Sequence, residues 1–167
     1  MQVRQLRRST ALGLGALLLA VPFLSSCARG FATERVYTPA TGVNNQEGDV
    51  DVLGATIVSG EAGSGTFIAT FVNNTDEDID VTGLAGGDVG TTLTMAQFAA
   101  ITVPLRGMVN LADAGGIGVT GDFAAGDFVS VAVSTSDGAT VTLQIPVVPD
   151  SGYYAGLDTA DKPSPAG

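Results

Sequence analysis

The sequence predicts an all-β protein, an antiparallel β-sandwich built from short strands. Apolar and polar residues alternate in several runs, turn signals separate these runs at roughly 8–12 residues, and no run beyond the N-terminal segment has a helical period. Glycine is abundant, with 23 residues, and tryptophan is absent. This composition is typical of short strands joined by many turns.

The chain divides into four predicted segments. Residues 1–26 are an export signal, residues 27–49 are a lipid-bearing cysteine and its tether, residues 50–148 are the sandwich, and residues 149–167 are a flexible tail. The tail lacks an apolar period and ends in prolines and small residues, which favours mobility.

The first segment has the order of an export signal. MQVRQLRRST is basic, and ALGLGALLLAVPFL, which follows it, is apolar but shorter than the ~20 residues that a comfortable membrane span needs. The residues after Arg8 fit a twin-arginine motif poorly, so we predict general secretion.

The end of this signal resembles the bacterial lipobox, a leucine, two small residues and a cysteine. Here these are Leu24, Ser25, Ser26 and Cys27. The resemblance implies that the Cys27 sulfur receives a diacylglyceryl group, that cleavage leaves Cys27 first, and that its amine can carry a further acyl chain such as palmitate. Two or three acyl chains anchor stably. We therefore expect a protein held at the outer face of the cell membrane. Cys27 is the only cysteine, so a disulfide within the chain is excluded.

The first predicted strands follow the tether. The pattern of Val50, Val52, Ala55 and Ile57 indicates one strand with a slip at Leu53-Gly54. GTFIATFV, residues 65–72, sets Phe67, Ala69 and Phe71 on one face and apolar residues also on the other. We expect that strand to be buried on one face and partly covered on the second.

The last predicted strands are residues 128–134 and 139–148, joined by a hairpin at Asp137-Gly138. Pro146 suggests that the final strand is an edge or has its open side there. Between the two groups of strands, residues 94–100 could form one helical turn at most. In the tail, Tyr153 and Tyr154 are expected to pack onto the domain, with a recognition spot as the alternative.

The residue types exclude several enzyme mechanisms. Histidine is absent, and Lys162 in the tail is the only lysine. A Ser-His-Asp or Cys-His arrangement and a Walker loop are therefore impossible. The acidic residues lie in turn-like contexts where solvated carboxylates are expected. We predict a protein that is not an enzyme, with no catalytic residue and no cofactor.

Charge is distributed unevenly along the chain. All seventeen acidic residues follow Cys27, and four basic residues accompany them. Such an acidic surface repels nucleic acid phosphates and anionic headgroups. We expect no nucleic acid partner. The acidic residues either keep the domain soluble or steer a basic partner.

Two motifs suggest ligand sites and are better explained by turns. Asp76, Asp78 and Asp80 alternate, but an EF-hand loop that began at Asp76 would need glycine and glutamate where Val81 and Gly87 stand. An acidic hairpin turn is the default, with a weak calcium site as the alternative. In NLADAGGIGVTGD, the glycines favour backbone bends over a phosphate cradle, because no helix follows them.

The order of these pieces resembles the PCu(A)C periplasmic copper chaperones. GTFIATFVNNTDEDIDVTG, residues 65–83, is similar to their strand-turn-strand unit, in which an Asn ends the first strand. The further matches, in chain order, are ITVP (101–104), GMVNL (107–111), Gly115-Gly116, AGD (125–127) and residues 138–148. The resemblance covers residues 50–148 and implies a cupredoxin-like β-sandwich, which has the general architecture of an immunoglobulin-like sandwich. The segment ERVYTPATGVNN, residues 34–45, together with the lipobox, is similar to actinobacterial lipoproteins of the LpqE type.

The departures from that family concern its metal ligands. The family holds copper with a His and a Met in one loop and a His-x-Met after the glycine pair, and such soft ligands suit Cu(I). Gly118 stands where that second His is expected, and Thr120 replaces the second Met. The earlier loop offers Met95, and Met108 is expected to be a core residue. No family ligand carries over, so we assign no metal-binding residue.

Two functional hypotheses follow. The first is a non-enzymatic, membrane-anchored module that binds a membrane or envelope protein, for example in a respiratory complex. The alternative is a copper-chaperone-like protein with a degenerate site, which would handle metal through Met95, Met108 and carboxylates.

Overall fold

The strands of this protein form two β-sheets that share one strand. The computed structural model describes residues 41–87 and 92–160, so the predicted signal peptide, the lipobox and Cys27 lie outside the described residues. Within the described part, the strand order is β5-β8-β3-β2-β10-β9-β4-β6, with β1 beside β2 and β7 beside β3. The strands are β1 (Val43–Asn45), β2 (Val50–Glu61), β3 (Ser64–Asn73), β4 (Ile79–Gly86), β5 (Leu93–Met95), β6 (Ile101–Val103), β7 (Met108–Asn110), β8 (Ile117–Gly121), β9 (Phe128–Thr135) and β10 (Thr140–Pro149).

This arrangement confirms the predicted all-β, cupredoxin-like or immunoglobulin-like class. It corrects one detail, because β10 pairs with β2 in parallel while the other pairs are antiparallel. Among the described residues, no helix is long and apolar enough to cross a membrane. The segment 94–100, predicted to form at most one helical turn, instead contributes its first residues to the short strand β5.

Strands β2 and β3 form a hairpin, and the side chains on its inner face form a large part of the main core. Phe67 and Phe71 are fully buried on the inner face of β3, with Ala69 between them, as the alternation predicted. Full burial of such a phenylalanine stabilises the fold by about 1.5–3 kcal/mol. The predicted slip in β2 is also present: the register with β3 shifts after Leu53, where Gly54 has a φ of 63°, a conformation that glycine adopts without steric cost.

Strand β10 passes from one sheet to the other. Residues 140–146 pair with β9, and the next three residues pair with β2. Pro146 stands at the change of partner, and its carbonyl accepts a hydrogen bond from Thr56 Oγ1 of β2 at 2.9 Å. Because β10 lies between β2 and β9 and Pro146 is buried, the predictions of an edge strand and of an open side at Pro146 are both wrong.

The predicted hairpin between β9 and β10 is confirmed. Gly138 has a φ of 88°, and the Asp137 carboxylate accepts hydrogen bonds from the Thr135 hydroxyl and from the Ala139 N–H. Those donors, the Thr135 hydroxyl first, lower the pKa of Asp137 below its ordinary value of 3.8. The charged carboxylate thus belongs to the turn itself.

The C-terminal residues that follow β10 lie on the outer face of β2 and β3. We call residues 150–160 the strap. Asp158 accepts hydrogen bonds from the Gly60 N–H (2.7 Å) and the Thr66 hydroxyl (3.0 Å), and Thr159 donates from its hydroxyl to the Gly115 carbonyl at 2.6 Å. The sequence predicted a flexible tail over 149–167; residues 150–160 make these side-chain hydrogen bonds to the domain, and the mobility of the tail stays a prediction. The remainder of that predicted tail, residues 161–167, lies outside the described residues.

The strap closes a second, smaller core. Val58, Ile68 and Val148 are buried beneath it, and Tyr154 and Leu157 of the strap pack against them. The main core lies between the two sheets. This confirms the expectation that β3 is buried on one face and partly covered on the other.

Asn73, the last residue of β3, connects three segments through one buried side chain. Its side-chain Nδ2 donates to the carbonyls of Glu77 (2.7 Å) and Val103 (3.0 Å), while Oδ1 accepts from the N–H and the hydroxyl of Thr75, both at 2.8 Å. A carboxamide offers two donors and two acceptor lone pairs, so all four are used. The residue is 1% exposed, and its side chain joins the β3–β4 loop to the end of β6.

We expect Asn73→Ala to lower the free energy of unfolding by about 2–3 kcal/mol, because it removes the side-chain donor of the buried Val103 carbonyl and the acceptor of the Thr75 N–H. Asn74→Ala is the matched control, since Asn74 is exposed and its side chain makes no hydrogen bond within the described residues. Urea denaturation followed by circular dichroism measures both. Equal losses in the two variants would contradict the role of Asn73.

We expect the stability that the Asp137 charge contributes to depend on pH. Because the folded pKa is lowered, the contribution is present above the ordinary value of 3.8 and is lost as pH falls through the folded pKa. Asp137→Asn should cost below ~1 kcal/mol at pH 7, since the site is exposed and screened, and progressively less as the pH falls through the folded pKa. Thermal unfolding measured from pH 7 downward tests it, and a difference that does not shrink as the pH falls would contradict it.

Candidate functional site

The edge of the sheet formed by β5 and β8 is where the family resemblance places its metal ligands. The chain reaches β8 through a 3-10 turn, Leu111–Ala114, that begins at Asn110 and ends at Gly115. Gly115 and Gly116 have φ values of 88° and 68°. A Cβ on Gly116 would lie 2.3 Å from the Thr66 Cγ2 atom and 2.8 Å from the Phe67 carbonyl oxygen. The glycine pair therefore lets the chain bend closely against β3, as the sequence predicted.

The pairing of β5 with β8 places Met95 beside Gly118 and Thr120, the positions at which the resemblance expects the ligands. Met95 lies opposite Val119, Thr94 lies opposite Thr120, and the Ala96 N–H donates to the Gly118 carbonyl at 2.7 Å. The side chains at these positions decide what this edge of the sheet can bind.

Met95 lies on the opposite face of the sheet from Gly118 and Thr120. Residues directly opposite in an antiparallel pair share a face, and neighbours along a strand alternate. Because Val119 is buried in the core, Met95 shares its face, and the Met95 side chain packs against the core cluster. Gly118 and Thr120 are on the other face. One thioether and two non-ligating residues on two faces do not form a copper site.

Met108 is remote from this edge. It lies opposite Val72 in β3, whereas Val119, the partner of Met95, lies opposite Gly65. Seven residues of strand separate those two positions, which is about 23 Å at the rise of a β-strand. Met108 is also 69% exposed. The expectation that it is a core residue is wrong, because Val72, its cross-strand neighbour, is on the outer face of β3.

The carboxylates of the acidic turn do not converge on a common point. Asp76 pairs with the Arg106 guanidinium, with Oδ1 at 2.9 Å from Nε, and Asp78 accepts from the Leu105 N–H at 2.9 Å. Within residues 41–87 and 92–160, no group of three or more His, Cys, Asp or Glu side chains is placed to hold a metal ion. The acidic hairpin turn is the interpretation that the geometry supports.

A groove of about 460 Å³ runs beside the strap, and its lining includes Asn110, Asp113, Tyr153 and Tyr154. Tyr154 packs onto the domain as expected. Tyr153 does not, because its side chain is 85% exposed and meets Tyr154 only edge-on, with ring centroids 5.3 Å apart.

One organised surface, the pair of loops joined by Asn73, was not predicted from the sequence. Residues 104–107 make a turn in which the Gly107 N–H donates to the Pro104 carbonyl at 2.8 Å, and Arg106 has a φ of 50°. An arginine in the left-handed region has no sequence signature. The asparagine at the end of β3, followed two residues later by a threonine, is the signal that could have indicated the loop's hydrogen bonds.

Comparison with known proteins places the fold. No protein-family model matches the chain, and no curated protein matches it. Among solved structures, the apo PCuAC domain from PmoF1 is 14% identical, with a TM-score of 0.52, over 64% of this chain and 99% of that domain. The apo PmoF2 PCuAC domain is 16% identical, with a TM-score of 0.51, over 66% of this chain and 98% of that one. The chain is therefore similar in fold to PCuAC domains across nearly their whole length.

Proposed function

We propose that this chain is a copper-chaperone-like lipoprotein with a degenerate metal site, which acts by binding a membrane or envelope protein at the outer face of the cell membrane. The proposal treats the chain as a divergent relative of the PCuAC domains, in a lipid-anchored form of the LpqE type. It is non-enzymatic, and it takes no nucleic acid.

The relation to copper chaperones rests on the fold. The similarity spans 99% of a PCuAC domain, and the glycine pair and the pairing of β5 with β8 stand where the family resemblance expects the metal site. This favours a copper-chaperone-like protein over a generic accessory module. Beyond the sequence, the specific support for this function is the similarity in fold to PCuAC domains.

The degenerate character of the site rests on its side chains. The chain has no histidine, Gly118 and Thr120 occupy the expected ligand positions, and Met95 belongs to the core face. Thioether and imidazole groups are the ligands that suit Cu(I), and one core-facing thioether is insufficient for tight binding. A domain that has this fold and lacks the ligands acts by binding another protein.

The location rests on the lipobox. Residues Leu24, Ser25 and Ser26 precede the only cysteine, and two or three acyl chains on Cys27 would hold the domain at the membrane surface. The predicted tether, residues 27–49, would connect this anchor to the domain.

We expect the soluble domain to bind Cu(I) more weakly than micromolar. Titration against a chromogenic Cu(I) competitor measures the affinity, because the competitor changes colour as it loses the metal. A variant with Gly118→His and Thr120→Met is the matched gain-of-site control, since it restores the two ligand types on one face. Binding of the unmodified domain tighter than micromolar would contradict the degenerate site and favour copper handling, with Met95 or Met108 as ligands.

We expect Cys27→Ser to release the protein from the membrane fraction, because the serine hydroxyl does not form the thioether that carries the lipid. Cell fractionation with immunoblotting measures the distribution. Ser26→Ala is the control, since it keeps a small residue in the lipobox and should leave the protein membrane-bound. An intact protein found in the aqueous fraction would overturn the proposed anchor.

A further inference from the structure

We infer that the two loops joined by Asn73 form the docking surface of this protein, and that the partner presents an apolar pocket bordered by lysine or arginine. We call this surface the Asn73 loop pair and define it as residues 74–78 and 104–108. The inference deepens the proposed function and rests on it.

The loop pair exposes large apolar side chains. Leu105 is 54% exposed and Met108 is 69% exposed. They are two of the four large hydrophobic residues that are exposed among those the structure describes, the others being Phe128 and Tyr153. Exposed apolar residues that lie together mark interaction sites more often than scattered ones, and methionine is enriched at interfaces.

The backbone of this surface is held in place before any partner arrives. The Arg106 N–H donates to the Thr75 carbonyl at 3.1 Å, and the Asn73 N–H donates to the Gly107 carbonyl at 2.9 Å. The Leu105 N–H donates to Asp78 Oδ1 at 2.9 Å. A fixed loop loses little conformational freedom on binding, so its contacts contribute more fully to affinity.

Arg106 adds a feature that stability alone does not explain. It is the only residue other than glycine with a positive φ among those described, and a non-glycine residue in that region costs roughly 1–2 kcal/mol. Its ion pair with Asp76 is exposed, with the two side chains 61% and 82% accessible, and such pairs contribute little. Arginine at the centre of an apolar patch is a frequent hot-spot residue.

The chemistry of the partner follows from charge. Residues 41–87 and 92–160 contain fourteen acidic side chains and one basic one, Arg106. Asp78 accepts from the Leu105 N–H and Asp76 pairs with Arg106, so the exposed acidic residues 76–78 lie beside the turn that carries Leu105. A partner with an acidic border would be repelled, and one with a basic border would be attracted and steered. The apolar pair then needs a pocket on that partner.

Site-specific photo-crosslinking in membranes tests this surface on the full chain. Leu105 or Met108 is replaced by p-benzoylphenylalanine in the cells that encode the protein, and membranes are irradiated at low and high salt. Phe128 and Tyr153 are the matched control positions, because they are 65% and 85% exposed and lie outside the loop pair. We expect one discrete adduct from positions 105 and 108, little from the controls, a loss of adduct at high salt, and a crosslinked peptide with lysine or arginine nearby.

Three further variants, read by crosslinking from position 108, identify the contacts. Leu105→Ser should lower the adduct yield by about tenfold or more. Arg106→Gly removes the guanidinium and relieves the positive φ, so we expect an unchanged or higher melting temperature together with a lower yield. Thr82→Ser, a change on an exposed residue of β4, should alter neither.

The outcomes separate this inference from the proposed function. An adduct from positions 128 or 153 and none from 105 or 108 would overturn the docking surface and leave a contact-based function standing. An adduct that is insensitive to salt, or one that joins two copies of this chain, would overturn the stated partner chemistry. No adduct from any of the four positions would contradict both.

Discussion

The organisation of this domain depends on one buried carboxamide. Asn73 is nearly inaccessible to water, so each polar atom of its side chain needs a partner inside the protein, and each has one. Since those partners belong to the β3–β4 loop and to the end of β6, the side chain fixes the position of the turn that follows β6. A hydrophobic residue of similar size could fill the space but could not hold the loops.

The sequence predicted the strands that carry strong alternation and little of what joins them. The strand that carries Phe67 follows from a two-residue period and the hairpin at Asp137 from turn residues, which act locally. The parallel contact of β10 with β2 depends on residues about ninety positions apart, as does the strap's hydrogen bond to Thr66. Neither has a local signature, because the side chains of the strap bond to residues that are distant in the sequence.

The sequence alone predicted that the candidate site has no histidine ligand. Absence of histidine is visible in the sequence, and the glycine pair indicated the bend before β8. The face on which Met95 lies and the exposure of Met108 depend on strand register, which a three-residue strand does not specify. For the same reason the loop surface around Arg106 was not predictable, because it is formed by two segments that meet only in the folded chain.

The strap also determines what optical measurements of this protein report. The chain has three tyrosines and no tryptophan, and two of the three, Tyr153 and Tyr154, lie at the start of the strap. Tyrosine fluorescence therefore reports mainly on the attachment of this C-terminal segment and little on the core between the sheets. If the segment detaches at a lower temperature than the sheets separate, emission and circular dichroism will give different midpoints for one sample. Agreement of the two signals would instead indicate that the segment and the sheets melt as one cooperative unit.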